Sequence, residues 1–461
     1  MEEHNNIPWQ VSRYEGLLKK KASIYFDVDD FEEVVEHYLI RGLYKDAYRA
    51  TLQACSLHPS SIPLMLKKAQ LMATFNRESD ALELLSKIQR LDPTNNEIFL
   101  TRGAIYSQLK DYTKAIEEYN KAVFNADEPD YVYCNIAIEY ENLGNFDKTI
   151  EYLDKALKVN PDNDLAIYEA AYCFDLLSLT DEGISFFQRL IDRNPYSTEA
   201  WFNLGVSYIN AGLYEKALEA LEYSIAIDSR HEHSWFHKGY ALSLLNRHRE
   251  AIGAYEESMA DDEADAMKLY YIGECHEKME DYDKAIHHYL RCTKIEPDMA
   301  DAWIGIGVCE LELGHNAEAV KYLEKGVLLD QDNISYLCLL ANNYFLLGDH
   351  EQAKATYERA IEADPEDEET WLEFAEALVS MQDYDHAVEI LGKGLGTIKA
   401  KSNLLATMAA VLFLTGKHGE GNFCLEEALN AGASSFEPLL SRFPKLQKNA
   451  AFLEAMDKLI L

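Results

Sequence analysis

The stretch HEHSWFH places His231, His233 and His237 within seven residues, the last two one helical turn apart. Two imidazoles at that spacing could begin a zinc site, but no carboxylate-bearing motif such as His-Glu-x-x-His accompanies them. We read them as solvated or groove-facing histidines; of all residues, His233 and His237 are the best candidates for a metal-dependent activity. GIGVCE, from Gly305, resembles the opening of a dinucleotide-binding loop, yet it lies inside a helical pattern with no strand before it. The carboxylates of DPEDEE at Asp364 and DDEADA at Asp261 stand where helices start, a favourable place for acids, and lack the spacing of a calcium loop. Cys275, Cys292 and Cys309 recur at an interval of 17, which a structural repeat explains, and no Cys-x-x-Cys occurs among the eight cysteines. No nucleophile–base pair stands out, so no catalytic residue, metal or cofactor is assigned. The chemistry that remains is recognition.

Composition narrows what can be recognised. The chain of 461 residues is 48% hydrophobic and 27% charged, the balance of a folded protein, and its formal net charge is −37. Such a surplus of acids repels nucleic acid phosphates and anionic lipid and is compatible with basic protein partners; the alternative is that an elongated, highly exposed molecule carries acids for solubility. Eight cysteines in so long a chain read as small buried hydrophobes in a reducing compartment. The opening MEEHNNIPWQVSRYEGLLKKK has no apolar signal region. The longest uncharged stretch, Asn333 to Gly348, is too short and too polar to cross a bilayer. The expected location is cytoplasmic, with no direct membrane insertion.

The elements that position the recognition surface come from a repeat. WFNLGVSYINAGLYEKALEALEYSIAID, from Trp201, reappears after 34 residues as SWFHKGYALSLLNRHREAIGAYEESMA, with Trp235, Gly239, Ala251 and Tyr255 in register with Trp201, Gly205, Ala217 and Leu221. The period runs without a gap from Val28 to Ser435, twelve units of 34 residues. Eleven of the twelve residues in the Gly205 slot are Gly or Ala, Val35 being the exception. Each unit holds two helical patterns separated by a break at which Gly42, Gly144, Gly212, Gly314, Gly348 and Gly416 recur. Glycine there can take the left-handed conformation that ends a helix, and prolines such as Pro161, Pro195, Pro297 and Pro365 stop the second helix. Small residues at the Gly205 and Ala217 slots let antiparallel helices approach, with Trp201, Leu204, Tyr208 and Leu221 filling the space around the contact.

This pattern resembles the tetratricopeptide repeat, a helix-turn-helix unit of the same length. The resemblance implies an all-α fold, an α-solenoid whose repeats stack into a right-handed superhelix with the first helix of each unit lining a concave groove. The array would span 28–435, with an N-terminal flank over 1–27 that is weakly helical near Val11 to Lys20. The C-terminal flank, 436–461, reads as a capping helix from KLQKNAAFLEAMDKLIL, because an open array must cover its last apolar face.

Within TEAWFNLGVSYIN, the line Glu199, Phe202, Val206 and Ile209 lies about a third of a turn from the packing face. By resemblance these four slots face the groove. Other repeats place Tyr131 and Ile138, Tyr168 and Tyr172, Phe236 and Tyr240, Tyr270 and Glu274, and Ile304 and Val308 there. None of the forty-eight slot positions holds Lys or Arg, although 43 such residues occur in the chain and about 4–5 would fall there by proportion. Aromatic anchors without bases suit a peptide or helix bearing apolar and basic residues. The alternative is that neighbouring first helices press together and the stripe is packing. Family members that grip a chaperone's acidic C-terminus use Lys, Asn and Arg on these slots; only Asn342 and Asn403 of those types occur here. The expected function is a non-catalytic interaction scaffold for a basic, amphipathic protein or peptide partner. An adaptor docking cytoplasmic tails of membrane or envelope machinery is the alternative.

Overall fold

The 34-residue period predicts twelve helix pairs, and the chain forms them in register. In the computed structural model, which describes residues 8–20, 25–259, 265–433 and 436–460, the first helices begin at Val28, Ile62, Asn96, Pro129, Asp164 and Thr198, then Glu232, Ala266, Ala300, Ile334, Glu368 and Ser402. Only the start at Pro129 departs from the period, by one residue; the preceding helix ends early at Ala122 and a 3-10 turn, Val123–Asn125, follows it. No strand occurs among the described residues. The carboxylates Asp261 to Glu263, and Ser435 at the expected end of the array, lie outside the described residues. The helices gather into two compact units, Met1–His231 and Glu232–Leu461, so the division falls between the sixth and seventh repeats.

Side-chain caps mark the starts of many of the first helices. Asn95, Asn163, Ser197, Asp265, Asn333 and Asp367 all occupy the residue before a first helix, and each side chain accepts a hydrogen bond from a backbone N–H of the first turn. Each such cap contributes about 1 kcal/mol to its helix. The break between the helices is equally regular. The six glycines named above have φ of 69° to 80°, and the same position in the other repeats holds Asn76, Lys110, Ser178, Asn246, Glu280 and Gln382 at φ of 55° to 63°. The left-handed residue belongs to all twelve repeats, although only half of them mark it with glycine. We expect Gly212→Ala to lower stability by about 1–2 kcal/mol, the cost of a Cβ in this conformation. Gln382→Gly should raise it by about 0.5–1 kcal/mol, since relief of that strain outweighs the added chain entropy. Urea unfolding followed by circular dichroism checks both signs.

The helix–helix contact is where the small slot acts. A Cβ added at Gly205 would sit 2.7 Å from Leu221 Cγ, and one at Gly307 would sit 2.5 Å from Leu323 Cδ2. At Gly239 and Gly273 the facing residues are Tyr255 and Tyr289, again sixteen positions later. The closing prolines have a second role. The indole N–H groups of Trp201, Trp303 and Trp371 donate to the carbonyls of Pro195, Pro297 and Pro365 at 2.9, 2.8 and 3.0 Å, tying each helix to the end of the preceding repeat. Trp201 itself is only half-buried, stacked on Tyr223 with ring centroids 4.5 Å apart. It lies beside the packing face instead of within it, whereas Leu204, Tyr208 and Leu221 are buried as expected.

Both flanks are built differently from the repeats. The helix Trp9–Lys20 buries Val11 and Tyr14 in one apolar cluster with Phe26, Phe31 and Tyr38, and so covers the first repeat. The C-terminal flank is not one helix. A short helix, Glu437–Arg442, leads into a 3-10 segment, Pro444–Lys448, and the longer helix Ala450–Ile460 starts only after Asn449 accepts from the Phe452 N–H. Phe452 is fully buried and meets Phe413 of the last repeat edge-on at 5.3 Å, which is the cap the exposed end of the array requires.

Candidate partner-binding groove

Once the packing face is turned inward, the second stripe of each first helix emerges to different degrees. In the unit Met1–His231, Tyr131, Tyr168 and Tyr172 are 53%, 66% and 45% exposed, large apolar areas for a folded surface. Ile138, Phe202 and Val206 are half-buried. Ile209, at 9% exposed, is part of the interior and does not line a groove. Glu199 is not a bare carboxylate: the ring Nε2 of His231 lies 3.1 Å from its Oε1, and the same ring meets Phe202 edge-on at 5.2 Å.

A cleft of about 1090 Å³ opens in this unit, and the stripe lines it. Gln70 and Ala73 of the second repeat, Glu97, Leu100 and Ala104 of the third, and Tyr131 of the fourth all occupy the four groove slots. The rest of the lining includes the linker Asn125 to Glu128, which exists because the preceding helix stops early. The floor is fixed across repeats: Gln70 Nε2 donates to Thr101 Oγ1 at 3.4 Å, and Gln108 Nε2 to the carbonyl of Ala73 at 3.3 Å. Among the described residues that line the cleft there are acids, Glu97, Asp127 and Glu128, and several amide side chains, but no Lys or Arg. Such a surface offers acceptors to cations and both donors and acceptors to a peptide backbone. Sequence reasoning, directed at the middle of the array, left out Gln70, Glu97, Leu100 and Ala104. Their slot was readable; the hollow left by the small Ala104 and the shortened helix was not.

In the unit Glu232–Leu461 the stripe is more enclosed. Tyr271, one residue off the slot, gathers Phe236 at 5.5 Å, Tyr240 at 5.9 Å and Tyr270 at 5.5 Å into one aromatic cluster. All three slot aromatics are half-buried, so each serves packing as well as the surface. Val308 is half-buried, and Ile304, 7% exposed, packs with Leu323 and Val327. Ile304, like Ile209, is a correction to the expected groove lining: Ile304 is buried against the second helix of its own repeat, where Gly326 makes room for it. The Glu274 carboxyl is held above its ordinary range by burial first, opposed by Lys278 and reinforced by Glu277 and Asp301. Glu277 accepts from the Tyr289 hydroxyl at 2.8 Å, and Asp301 accepts from that of Tyr336.

At the far end of this unit, slots are already occupied. Arg442 donates from Nη2 to Glu369 Oε1 at 2.7 Å, and its Nε lies 2.6 Å from Glu376 Oε1. Glu369 and Glu376 are the first and third slots of the eleventh repeat, seven residues apart on one face.

The other candidates for chemistry take structural places. His237 Nδ1 donates to the carbonyl of His233 at 2.8 Å. No three His, Cys, Asp or Glu side chains converge as a metal site among the described residues. Gly305 lies within the helix Ala300–Glu312, against the ring of Tyr289. Asp367, in the DPEDEE run, caps its helix by accepting from the Thr370 N–H at 3.0 Å. Cys275, Cys292 and Cys309 are buried free thiols, and burial pushes the latter two up to about 11 and about 12. No helix of the described residues is long and apolar enough to cross a membrane.

Comparisons with family models agree with this architecture. Tetratricopeptide repeat models match residues 97–123, 131–163, 198–231 and 344–417, and the model for anaphase-promoting complex, cyclosome, subunit 3 matches 246–326. Among curated proteins, anaphase-promoting complex subunit 3 of Schizosaccharomyces pombe is 23% identical over 145 residues, 32% of this chain. The match spans 21% of that protein's length. Among solved structures, the anaphase-promoting complex hetero-tetramer Cut9–Hcn1 aligns over 95% of this chain and 99% of its own, at 16% identity and a TM-score of 0.39. YrrB, described as a TPR protein with an unusual peptide-binding site, aligns over 42% of this chain and 97% of its own, at 18% identity and a TM-score of 0.35. With repeat models matching at four places and helix pairs keeping the 34-residue register throughout, this chain belongs to the tetratricopeptide repeat family.

Proposed function

We propose that this protein is a non-catalytic scaffold whose cleft over the second to fourth repeats, continued by Tyr168 and Tyr172, binds a basic, amphipathic segment of a partner protein. The observation that carries the reading is the cleft itself, where slot residues from three consecutive repeats meet beside acids and amides with no base among them. Exposed tyrosines supply anchors of large apolar area at low entropic cost, and the net charge of −37 draws in a cationic segment while repelling nucleic acid. The matches to anaphase-promoting complex subunit 3 support a partner that is itself part of a multi-subunit assembly. Eight free thiols support a reducing, cytoplasmic setting.

The test is capture of endogenous partners on the native chain and on a Tyr131→Ala, Tyr168→Ala, Tyr172→Ala variant, followed by titration of the captured protein. The variant should melt within a few degrees of the native chain and bind about 1–2 kcal/mol more weakly per anchor. Affinity should also fall as salt rises from about 50 to 500 mM, because screened attraction steers the ligand. Unchanged affinity with the three tyrosines removed would sink the reading. A partner recovered only from the membrane fraction would instead support docking of a cytoplasmic tail.

A further inference from the structure

In the last two repeats most of the groove slots are buried, and a segment of the chain outside the repeats packs with them. Leu372 and Val379 of the eleventh repeat, and Ala406 and Ala410 of the twelfth, are all buried, whereas Tyr168 and Tyr172 in the fifth repeat are exposed. The buried slots share one apolar cluster with Phe436, Leu439, Phe443 and Leu446, residues of the C-terminal flank. Arg442, between those side chains, pairs with Glu369 and Glu376. The Glu376 carboxyl is held above its ordinary range mainly by burial, and Arg442 is the cation that opposes this shift. Covering the end of the array does not account for the arrangement, because the later helix Ala450–Ile460 does that through Phe452.

We infer that Phe436 to Lys448 is a tethered occupant of the groove, and that the slots beneath it take a partner segment of the same chemistry: an arginine flanked by Leu and Phe. This rests on the reading of the slots as a partner-binding surface and names the ligand class at one end of it. The contacts are of an exchangeable kind. The helix Glu437–Arg442 has six residues, too few to hold its shape without the groove, and its polar anchor is a partly exposed guanidinium–carboxylate pair. A tethered segment competes at high effective concentration, so a free ligand binds well only when the tether's grip is weakened.

The experiment uses the full chain and a fluorescent synthetic peptide, FEPLLSRFPKLQK, copied from Phe436 to Lys448. Anisotropy titrations should show at least about tenfold tighter binding to an Arg442→Ala chain than to the native chain. Adding Glu376→Gln to that variant should abolish the gain, and a peptide with Gln in place of its arginine should bind neither chain. Hydrogen exchange on the native chain should show the amides of Glu437–Arg442 opening faster than those of Glu368–Ser380. Equal peptide binding to native and Arg442→Ala chains, or none to either, would overturn the inference. So would loss of the cooperative melt in Arg442→Ala, which would make the segment an integral part of the fold. Because the assay needs no captured partner and does not involve Tyr131, Tyr168 or Tyr172, its failure leaves the cleft of the second to fourth repeats to stand or fall by its own test.

Discussion

Trp371→Ala is expected to cost about 3–5 kcal/mol, while Trp201→Ala, a change in the same slot of another repeat, should cost about 1–3 kcal/mol. The slot alone does not set the penalty; the neighbours do. Trp371 is 4% exposed and belongs to the apolar cluster that includes Leu372, Leu391 and Leu404. Gly394 packs against it so closely that an added Cβ would lie 3.1 Å from the indole. Trp201 lies half-exposed on the face of Tyr223, so its removal opens a notch that water can fill. Both lose the indole bond to a proline carbonyl, so that contribution cancels in the comparison. Local hydrogen exchange around each tryptophan measures the two costs separately, as a repeat protein need not unfold in one step. Equal costs would mean that Trp201 is as deeply packed as the motif suggests.

The second large effect centres on Tyr289. Its ring is gripped between glycines of consecutive first helices: a Cβ at Gly273 would be 2.7 Å from Cδ1, and one at Gly305 would be 2.7 Å from Cε2. Tyr289→Ala should therefore leave a cavity spanning the eighth and ninth repeats and cost about 3–5 kcal/mol. Gly305→Ala presses into the other face of the same ring and should cost about 1–3 kcal/mol. The two sites are coupled, so Gly305→Ala placed on a Tyr289→Leu background should be nearly free, with an interaction energy of about 1–2 kcal/mol in the double-mutant cycle. Additive costs would show that the added methyl is accommodated elsewhere. Tyr289→Phe isolates the hydroxyl bond to Glu277 and should cost about 1–2 kcal/mol.

Much of this could be read from residue types alone. A period of 34 with two small slots, a break and a closing proline determined the helix pairs, the starts of the first helices to within a residue and the face that turns inward. Such features are local: caps, left-handed turns and close helix contacts each act within one repeat. The missing bases on the second stripe were equally legible, since counting slots needs only the register.

What the sequence left open depended on contacts between repeats and with the flanks. The left-handed residues at Lys110, Glu280 and Gln382 carry no compositional sign, because the turn imposes the conformation and the fold tolerates its cost. Ile304 and Tyr168 occupy the same slot, yet only Tyr168 is exposed, since burial is set by what packs beside the slot, such as Gly326, Leu323 and Val327 against Ile304. The flank expected to be one capping helix is two helices separated by the 3-10 segment Pro444–Lys448, and Arg442 of the first finds its carboxylates 66 and 73 residues earlier in the chain. The sequence by itself determined the repeat and its polarity of faces, whose causes span a few helical turns. The tertiary structure alone decided which slots are open, hollow or filled, because exposure belongs to the packed neighbourhood and not to the residue.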